Sequence, residues 1–332
     1  MPHVQGSPLV YALRGAEDLG AAIAHAAHAE LGGVEEREFE RGEHKARPLT
    51  PPRARDVAIV HRVHGEPVGA SANDRLVRLW FFAAAVRDAG ARSVTLVTPY
   101  LPYSRKDRRT KHDDPVNSRY VAQHCEATGA DRVVAIEPHD VAAFENAFRI
   151  EALALPFAPL LARWLVARVD RDVPLVLVSP DVGGTKRVQQ LRDLLAERHA
   201  RPTGLAFVEK RRSRDVVSGD LLVGDVRDAD CVVVDDLASS GGTLLRAAQA
   251  LRAAGARSCT VAVAHALLLP SGIDALVAGA VDRVLATDSV PVAPEVAARI
   301  GLEVLPLAPL LGAVLDRAWR GGPLADLTGI GD

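Results

Sequence analysis

The chain has 332 residues, 48% hydrophobic and 25% charged, enough for two ordinary domains that each bury a core. Its 40 Lys and Arg stand against 42 Asp and Glu, so there is no global basic field to hold nucleic acid, and positive charge is local, at Arg105 to Arg109 and Lys210 to Arg212. No apolar run reaches membrane-span length and the N-terminus lacks a signal peptide's apolar centre. Cys125, Cys231 and Cys259 have no metal-ligand spacing, so the expectation is a cytoplasmic protein with buried free thiols.

In chain order, the pattern predicts a strand over residues 9–13 and a helix over 18–31 that closes at Gly32. Phe39, Arg41 and Glu43 fall in a short charged turn. A strand over 56–60, a small-residue loop over 68–74 and a helix over 75–89 follow. The next strand, 94–98, stops at Pro99 and opens into Tyr100, Tyr103, Arg105, Lys106 and Asp107. Open α/β sheets bind ligands beyond the C-terminal ends of their strands. There a guanidinium forks onto phosphate oxygens and a tyrosine packs against a base. A helix over 117–128 and a strand over 132–136 lead to Glu137, Pro138, His139 and Asp140. Histidine after a sheet strand is often structural, and magnesium rarely prefers imidazole.

Pro156, Phe157 and Pro159 mark the crossing into the second half, which begins with a helix over 160–169. A strand over 175–179 runs into Ser179, Pro180, Asp181, Val182, Gly183, Gly184, Thr185, Lys186 and Arg187: an Asp at a strand end, a glycine pair and a cationic helix start. A carboxylate at a strand end, Asp181 is either a hard-oxygen ligand or a helix N-cap. A strand over 205–208 enters Glu209, Lys210, Arg211 and Arg212, cations of the kind that close over a phosphate chain. The apolar run 231–234 then ends in Asp235 and Asp236. Ser239, Ser240, Gly241, Gly242 and Thr243 follow, and a helix begins near Leu244 and closes at Gly255. Such a loop and helix N-terminus hold phosphate while the carboxylates accept hydrogen bonds from hydroxyls, which makes a site for a phosphorylated polyol; the other reading is an ordinary capped turn. A strand over 260–264 ends at His265, and a last helix, 308–320, packs back on a domain.

An internal repeat joins the halves. AVRDAGARSVTLV, containing Arg87, matches ALRAAGARSCTVAV, containing Arg252; each is a helix, a turn at Gly and a β-branched strand, one step of a parallel sheet. A weaker echo aligns Asp131 with Asp282, and by itself composition accounts for it.

These motifs resemble the ribose-phosphate diphosphokinase (PRPP synthetase) family. Ser239 and Ser240 stand where that family usually has Asp and Thr, Lys106 where it has Gln, Arg41 where it has Asn or Asp, and Glu137 and Pro138 depart from Asp-Leu. The resemblance implies an α/β fold of two similar phosphoribosyltransferase-like domains, 8–156 and 157–307, each a mainly parallel sheet flanked by helices, with helix 308–320 completing the first. It implies transfer of the diphosphoryl group of Mg-ATP to O1 of ribose 5-phosphate, giving PRPP and AMP. Phe39, Arg41 and Glu43 would reach ATP on a neighbouring subunit, and Arg105, Lys106 and Asp107 would contact ATP directly. His139 and Asp181 would serve the Mg²⁺ cofactor. Asp235 and Asp236 would hold ribose hydroxyls, Ser239, Ser240, Gly241, Gly242 and Thr243 the 5-phosphate, and Lys210 and Arg212 would be catalytic. The implied partners are the small substrates ATP and ribose 5-phosphate and further copies of the chain, in a dimer-based homo-oligomer up to a hexamer, with no nucleic acid and no membrane. Two alternatives stand: a phosphoribosyltransferase that consumes PRPP, and a non-catalytic regulatory subunit.

Overall fold

The structure is a computed structural model that describes residues 6–66, 69–209, 221–279 and 281–328. Lys210 and Arg212 lie outside the described residues. The chain divides into two compact units, one reaching Pro156 and taking back the chain from Pro306, the other spanning Phe157–Leu305.

The first unit opens with β1 (Leu9–Ala12), α1 (Glu17–Ala26) and β2 (Glu30–Gly32), then forms the hairpin β3 (Val34–Glu38) and β4 (His44–Pro48). It continues through β5 (Asp56–Val60), α2 (Ala72–Asp88), β6 (Ser93–Val97), α3 (Asn117–Ala127), β7 (Arg132–Ile136), α4 (Val141–Ala147) and β8 (Glu151–Leu155). Its six-stranded sheet has the order β2-β1-β5-β6-β7-β8 and is parallel throughout. Every residue of β5 is buried, as expected for a strand covered on both faces.

The second unit contains α5 (Ala158–Arg168), β9 (Leu175–Ser179), α6 (Thr185–His199), β10 (Gly204–Glu209) and β11 (Leu221–Val223). Then come β12 (Asp230–Ala238), α7 (Gly242–Ala253), β13 (Ser258–Ala266), α8 (Pro270–Ala278), β14 (Arg283–Thr287), α9 (Pro294–Ile300) and β15 (Leu302–Leu305). Its sheet, β11-β10-β9-β12-β13-β14-β15, is parallel except where β10 meets β11. The helix α10 (Ala308–Arg320) returns to the first unit and packs on α1, where Gly312 leaves room that a Cβ would take from Ala26.

In both sheets the winding reverses next to the first strand laid down, between β1 and β5 and between β9 and β12. At such a reversal the connecting loops part and leave a crevice beyond the C-terminal strand ends.

The repeat is a structural one. Arg87 pairs with Asp131, whose Oδ2 also accepts the Val94 N–H at 2.7 Å; Arg252 pairs with Asp282, whose Oδ2 accepts the Cys259 N–H at 2.6 Å. At the strand starts, Ser93 donates to Asp56 at 2.7 Å and Ser258 to Asp230 at 2.6 Å. The weak echo between Asp131 and Asp282 is therefore the same clamp built twice, not a coincidence of composition.

Two expectations change. The helix predicted over 18–31 ends at Ala26, because His28 turns into the left-handed region at φ +52° and frees residues 30–32 to pair with β1 as an edge strand. The strand predicted to stop before Asp235 continues to Ala238, so the carboxylates sit inside it and Leu237 pairs with His265. Phe39, Arg41 and Glu43 occupy the exposed tip of a hairpin. All three cysteines are free and buried, and no helix among the described residues is long and apolar enough to cross a membrane.

Because Val94 and Cys259 are fully buried, Asp131→Ala and Asp282→Ala each strand an amide; urea titration is expected to show a loss of about 1–3 kcal/mol for either variant.

Candidate active site

The crevice between β9 and β12 gathers most of the second unit's chemistry. Asp181 leaves the end of β9 exposed, and its Oδ1 accepts the Gly184 N–H at 3.0 Å, which turns the chain into α6. Ser179 braces the turn by donating to the Asp181 carbonyl at 2.6 Å. A Cβ at Gly184 would meet the Ser179 hydroxyl at 2.7 Å, so the glycine is needed for this close approach.

In the first turn of α6, Arg187 reaches across to β12, 3.3 Å from Asp235 and 4.0 Å from Asp236. Asp235 Oδ1 also accepts the Asp236 N–H at 2.9 Å. Burial first, then the charge of Asp236, push the Asp235 carboxyl well above the usual carboxylate range, and Arg187 pulls the other way. Arg187 lies within the motif that runs from Ser179, where residue type alone gives it no role. The signal for it was its place one turn beyond the glycine pair, on the helix face that looks at the next strand.

Beyond β12, Ser239 and Ser240 lead to Gly241, which takes φ +74° as the residue before α7. No side chain caps α7, so no side chain satisfies its first-turn N–H groups, the kind of helix end that can take an anion. The loop is pressed against α8: a Cβ at Gly272 would lie 2.0 Å from the Ser239 carbonyl oxygen, and one at Gly241 would lie 2.8 Å from Ala275. Arg246, also given no role from sequence, donates to the Thr243 hydroxyl at 3.4 Å and adds a cation to this end of the helix.

In the first unit, β6 and β7 are neighbours, and their C-terminal ends bring the Arg105 loop beside the His139 turn. Asp107 and Asp140 line one small cavity together with Ser104 and Phe144. Arg105 and His139 are exposed, and Asp140 caps α4 through the Ala143 N–H at 2.8 Å. Lys106 is engaged: its Nζ lies 2.7 Å from Asp114 Oδ2, which also accepts from Thr110 and Lys111. Phe39 lies under the Arg37 guanidinium, 5.1 Å from ring centroid to carbon, at the exposed hairpin tip.

Two parallel α/β units, each with a crevice at its winding reversal, define a protein of the phosphoribosyltransferase type. Residues 9–129 match the N-terminal domain of ribose phosphate pyrophosphokinase, and residues 154–282 match the phosphoribosyl transferase domain. The ribose-phosphate pyrophosphokinase of Granulibacter bethesdensis is 35% identical over 269 residues, covering 79% of this chain and 84% of that protein. That of Pasteurella multocida is 32% identical over 302 residues, covering 90% and 92%. The crystal structure of phosphoribosylpyrophosphate synthetase from Mycobacterium smegmatis superposes with a TM-score of 0.84 at 25% identity, covering 96% of this chain and 100% of that one. The chain belongs to the ribose-phosphate pyrophosphokinase family.

The raised Asp235 carboxyl has a consequence for stability. Its folded state favours the protonated form, so its contribution is fully present below the ordinary carboxylate pKa and is lost as pH rises through the raised value. Asp235→Asn, which keeps the shape without the charge, is expected to stabilise the chain at pH 8 by about 1 kcal/mol or more. The gain should shrink toward pH 4, as read by denaturant titration at both pH values.

Proposed function

We propose that the chain is a ribose-phosphate diphosphokinase: it transfers the diphosphoryl group of Mg-ATP to O1 of ribose 5-phosphate and releases PRPP and AMP. The observation that carries this reading is the carboxylate pair braced by Arg187 beside an uncapped, glycine-rich helix N-terminus. A ribose phosphate has the matching chemistry. Its hydroxyls donate to Asp235 and Asp236, and its 5-phosphate accepts from the N–H groups and hydroxyls of Ser239, Ser240, Gly241, Gly242 and Thr243.

The donors present suit magnesium. Among the described residues no cluster of three His, Cys, Asp or Glu is arranged around a metal, and Mg²⁺ takes only one or two protein carboxylates, filling its shell from water and phosphate oxygens. Asp181, exposed and with an oxygen beyond its turn-forming bond, would hold it in the second unit, and His139 would serve the metal-nucleotide side in the first. The ion would supply neutralisation of phosphate charge. Arg105 and Asp107 would contact ATP; Lys106, already tied to Asp114, would act mainly by holding that loop. Phe39, Arg41 and Glu43, on an exposed tip, suit contact with the nucleotide of a neighbouring copy, and so a homo-oligomer. These soluble substrates fit a cytoplasmic enzyme. Lys210 and Arg212 would stabilise the charge that develops on the transferred group.

Incubation with Mg-ATP and ribose 5-phosphate tests the reading. AMP release that depends on ribose 5-phosphate is expected; PRPP consumption in the presence of a base would favour the transferase, and neither reaction the regulatory subunit. Lys210→Ala should lower kcat by about 100-fold or more while KM moves only a few-fold, and an equal loss in binding would remove Lys210 from the transition state.

A further inference from the structure

Each unit joins the helix after its first sheet strand to the end of the neighbouring strand by an ion pair, and the two pairs have opposite polarity. Asp56 and Asp230 open the strands concerned with the same serine bond, and counting on equally from them sets His61 and Arg62 where the second unit has Asp235 and Asp236. In the first unit the strand end carries the cation. Arg62 forks onto both oxygens of Asp18, at 2.5 and 3.0 Å, in the first turn of α1, while His61 is buried and its ring nitrogens have no hydrogen-bond partner. In the second unit the strand end carries the acids, and the cation, Arg187, stands in the first turn of α6.

Only the first arrangement suits a helix. The partial positive charge of a helix N-terminus favours an acid in the first turn by about 0.3–1 kcal/mol and works against a cation there. α1 opens with Glu17 and Asp18, whereas α6 opens with Thr185, Lys186 and Arg187 and has no acid in its first turn. Desolvation points the same way. Asp18 keeps its side chain 75% exposed, but those of Asp235 and Asp236 are sunk to 22% and 7%, and a buried carboxylate is costly even when paired. One backbone thus holds this contact in a cheap polarity and in an expensive one, and stability does not explain the second.

The bonds of Asp235 show what the arginine does. Oδ1 accepts from Arg187 at 3.3 Å and from the Asp236 N–H at 2.9 Å, so two donors converge on one oxygen, set the plane of the carboxylate, and leave Oδ2 outside both bonds. Burial first, then the charge of Asp236, raise this carboxyl, and Arg187 lowers it, which favours the ionised form that only accepts hydrogen bonds. A sugar hydroxyl needs that acceptor. A guanidinium that met the ligand's phosphate itself would have to leave the two acids and strand them, buried, without a counter-charge.

We propose that, given the ribose 5-phosphate reading of this crevice, Arg187 is a positioning residue for the sugar: it orients Asp235 to receive a ribose hydroxyl and does not touch the ligand itself. Calorimetric titration of ribose 5-phosphate into the full chain tests this, with Mg²⁺ and α,β-methylene-ATP, which cannot release AMP, both at saturation. Arg187→Met is expected to weaken ribose 5-phosphate binding by about tenfold or more in the native background, and by less than about twofold when Asp235→Asn has already removed the carboxylate through which Arg187 acts. Arg187→Met leaves two buried acids without their cation, so Arg187→Lys, which keeps the charge without the fork, runs the same cycle in a chain that retains it. Its loss should be about threefold, and again only while Asp235 is present. Equal losses in both backgrounds would place Arg187 on the ligand, and no loss in either would leave it a brace for the fold; both results overturn the proposal. Failure of the unaltered chain to bind ribose 5-phosphate would overturn the reading of the crevice, and this proposal with it.

Discussion

Asp235 and Asp236 are consecutive carboxylates on the central strand of the second sheet, and Arg187 is the cation that partly offsets the cost of placing them there. Taking a carboxylate out of water is costly, and a buried ion pair seldom repays the cost in stability. Stability of the fold therefore does not account for the arrangement. The arrangement also constrains the neighbouring chain, since α6 must start close enough to β12 for one arginine to span both acids. That nearness requires the tight turn at Asp181 and the absence of a side chain at Gly184.

The two units show which parts of this design are scaffold and which are chemistry. The Arg–Asp clamps that tie helix, turn and strand together recur with nearly the same distances, and they lie at the N-terminal edge of each sheet. The crevices lie at the opposite edge, where the same topology holds different residues. One has an acid pair and an open helix N-terminus; the other has an unpartnered imidazole and a helix N-terminus closed by its own Asp74. The same backbone thus carries walls of different chemistry in the two units, since fold and site vary independently.

Legibility in the sequence followed burial. β5, β7 and β9 were read to the residue because each is an apolar run with abrupt polar or proline limits, and α10 because its apolar residues recur at helical spacing before Gly321. The edge strands β2 and β11 and the hairpin were not, because exposed strands carry no apolar signature. β12 was cut short for a related reason: its carboxylates read as a terminus although the ladder runs on through them. The glycine-hydroxyl loop was legible as the entry to a helix, and the structure places it before the uncapped α7. Arg187 was not, since its role depends on a helix face meeting another strand. His61 was equally silent, because a histidine at a strand end looks the same in sequence whether its nitrogens are partnered or bare.

The Arg105 loop shows how a departure from a family pattern can be absorbed. Lys106 replaces a neutral residue with a charge, beside groups expected to meet a polyphosphate. That charge is matched by Asp114, whose single oxygen collects Lys106, the Thr110 N–H and hydroxyl, and the Lys111 N–H, and whose carboxyl is held far below the usual range by those bonds. At the other end, Tyr103 takes φ +66°, an unfavourable conformation for a tyrosine, and its hydroxyl bonds to Asn73 at the start of α2. The loop is thus fixed on both sides by bonds of its own, and Arg105 is presented between two anchors. Order of this kind, present in the free chain, lowers the entropy cost of any binding that needs the loop ordered, so the lysine steadies the backbone that carries the arginine.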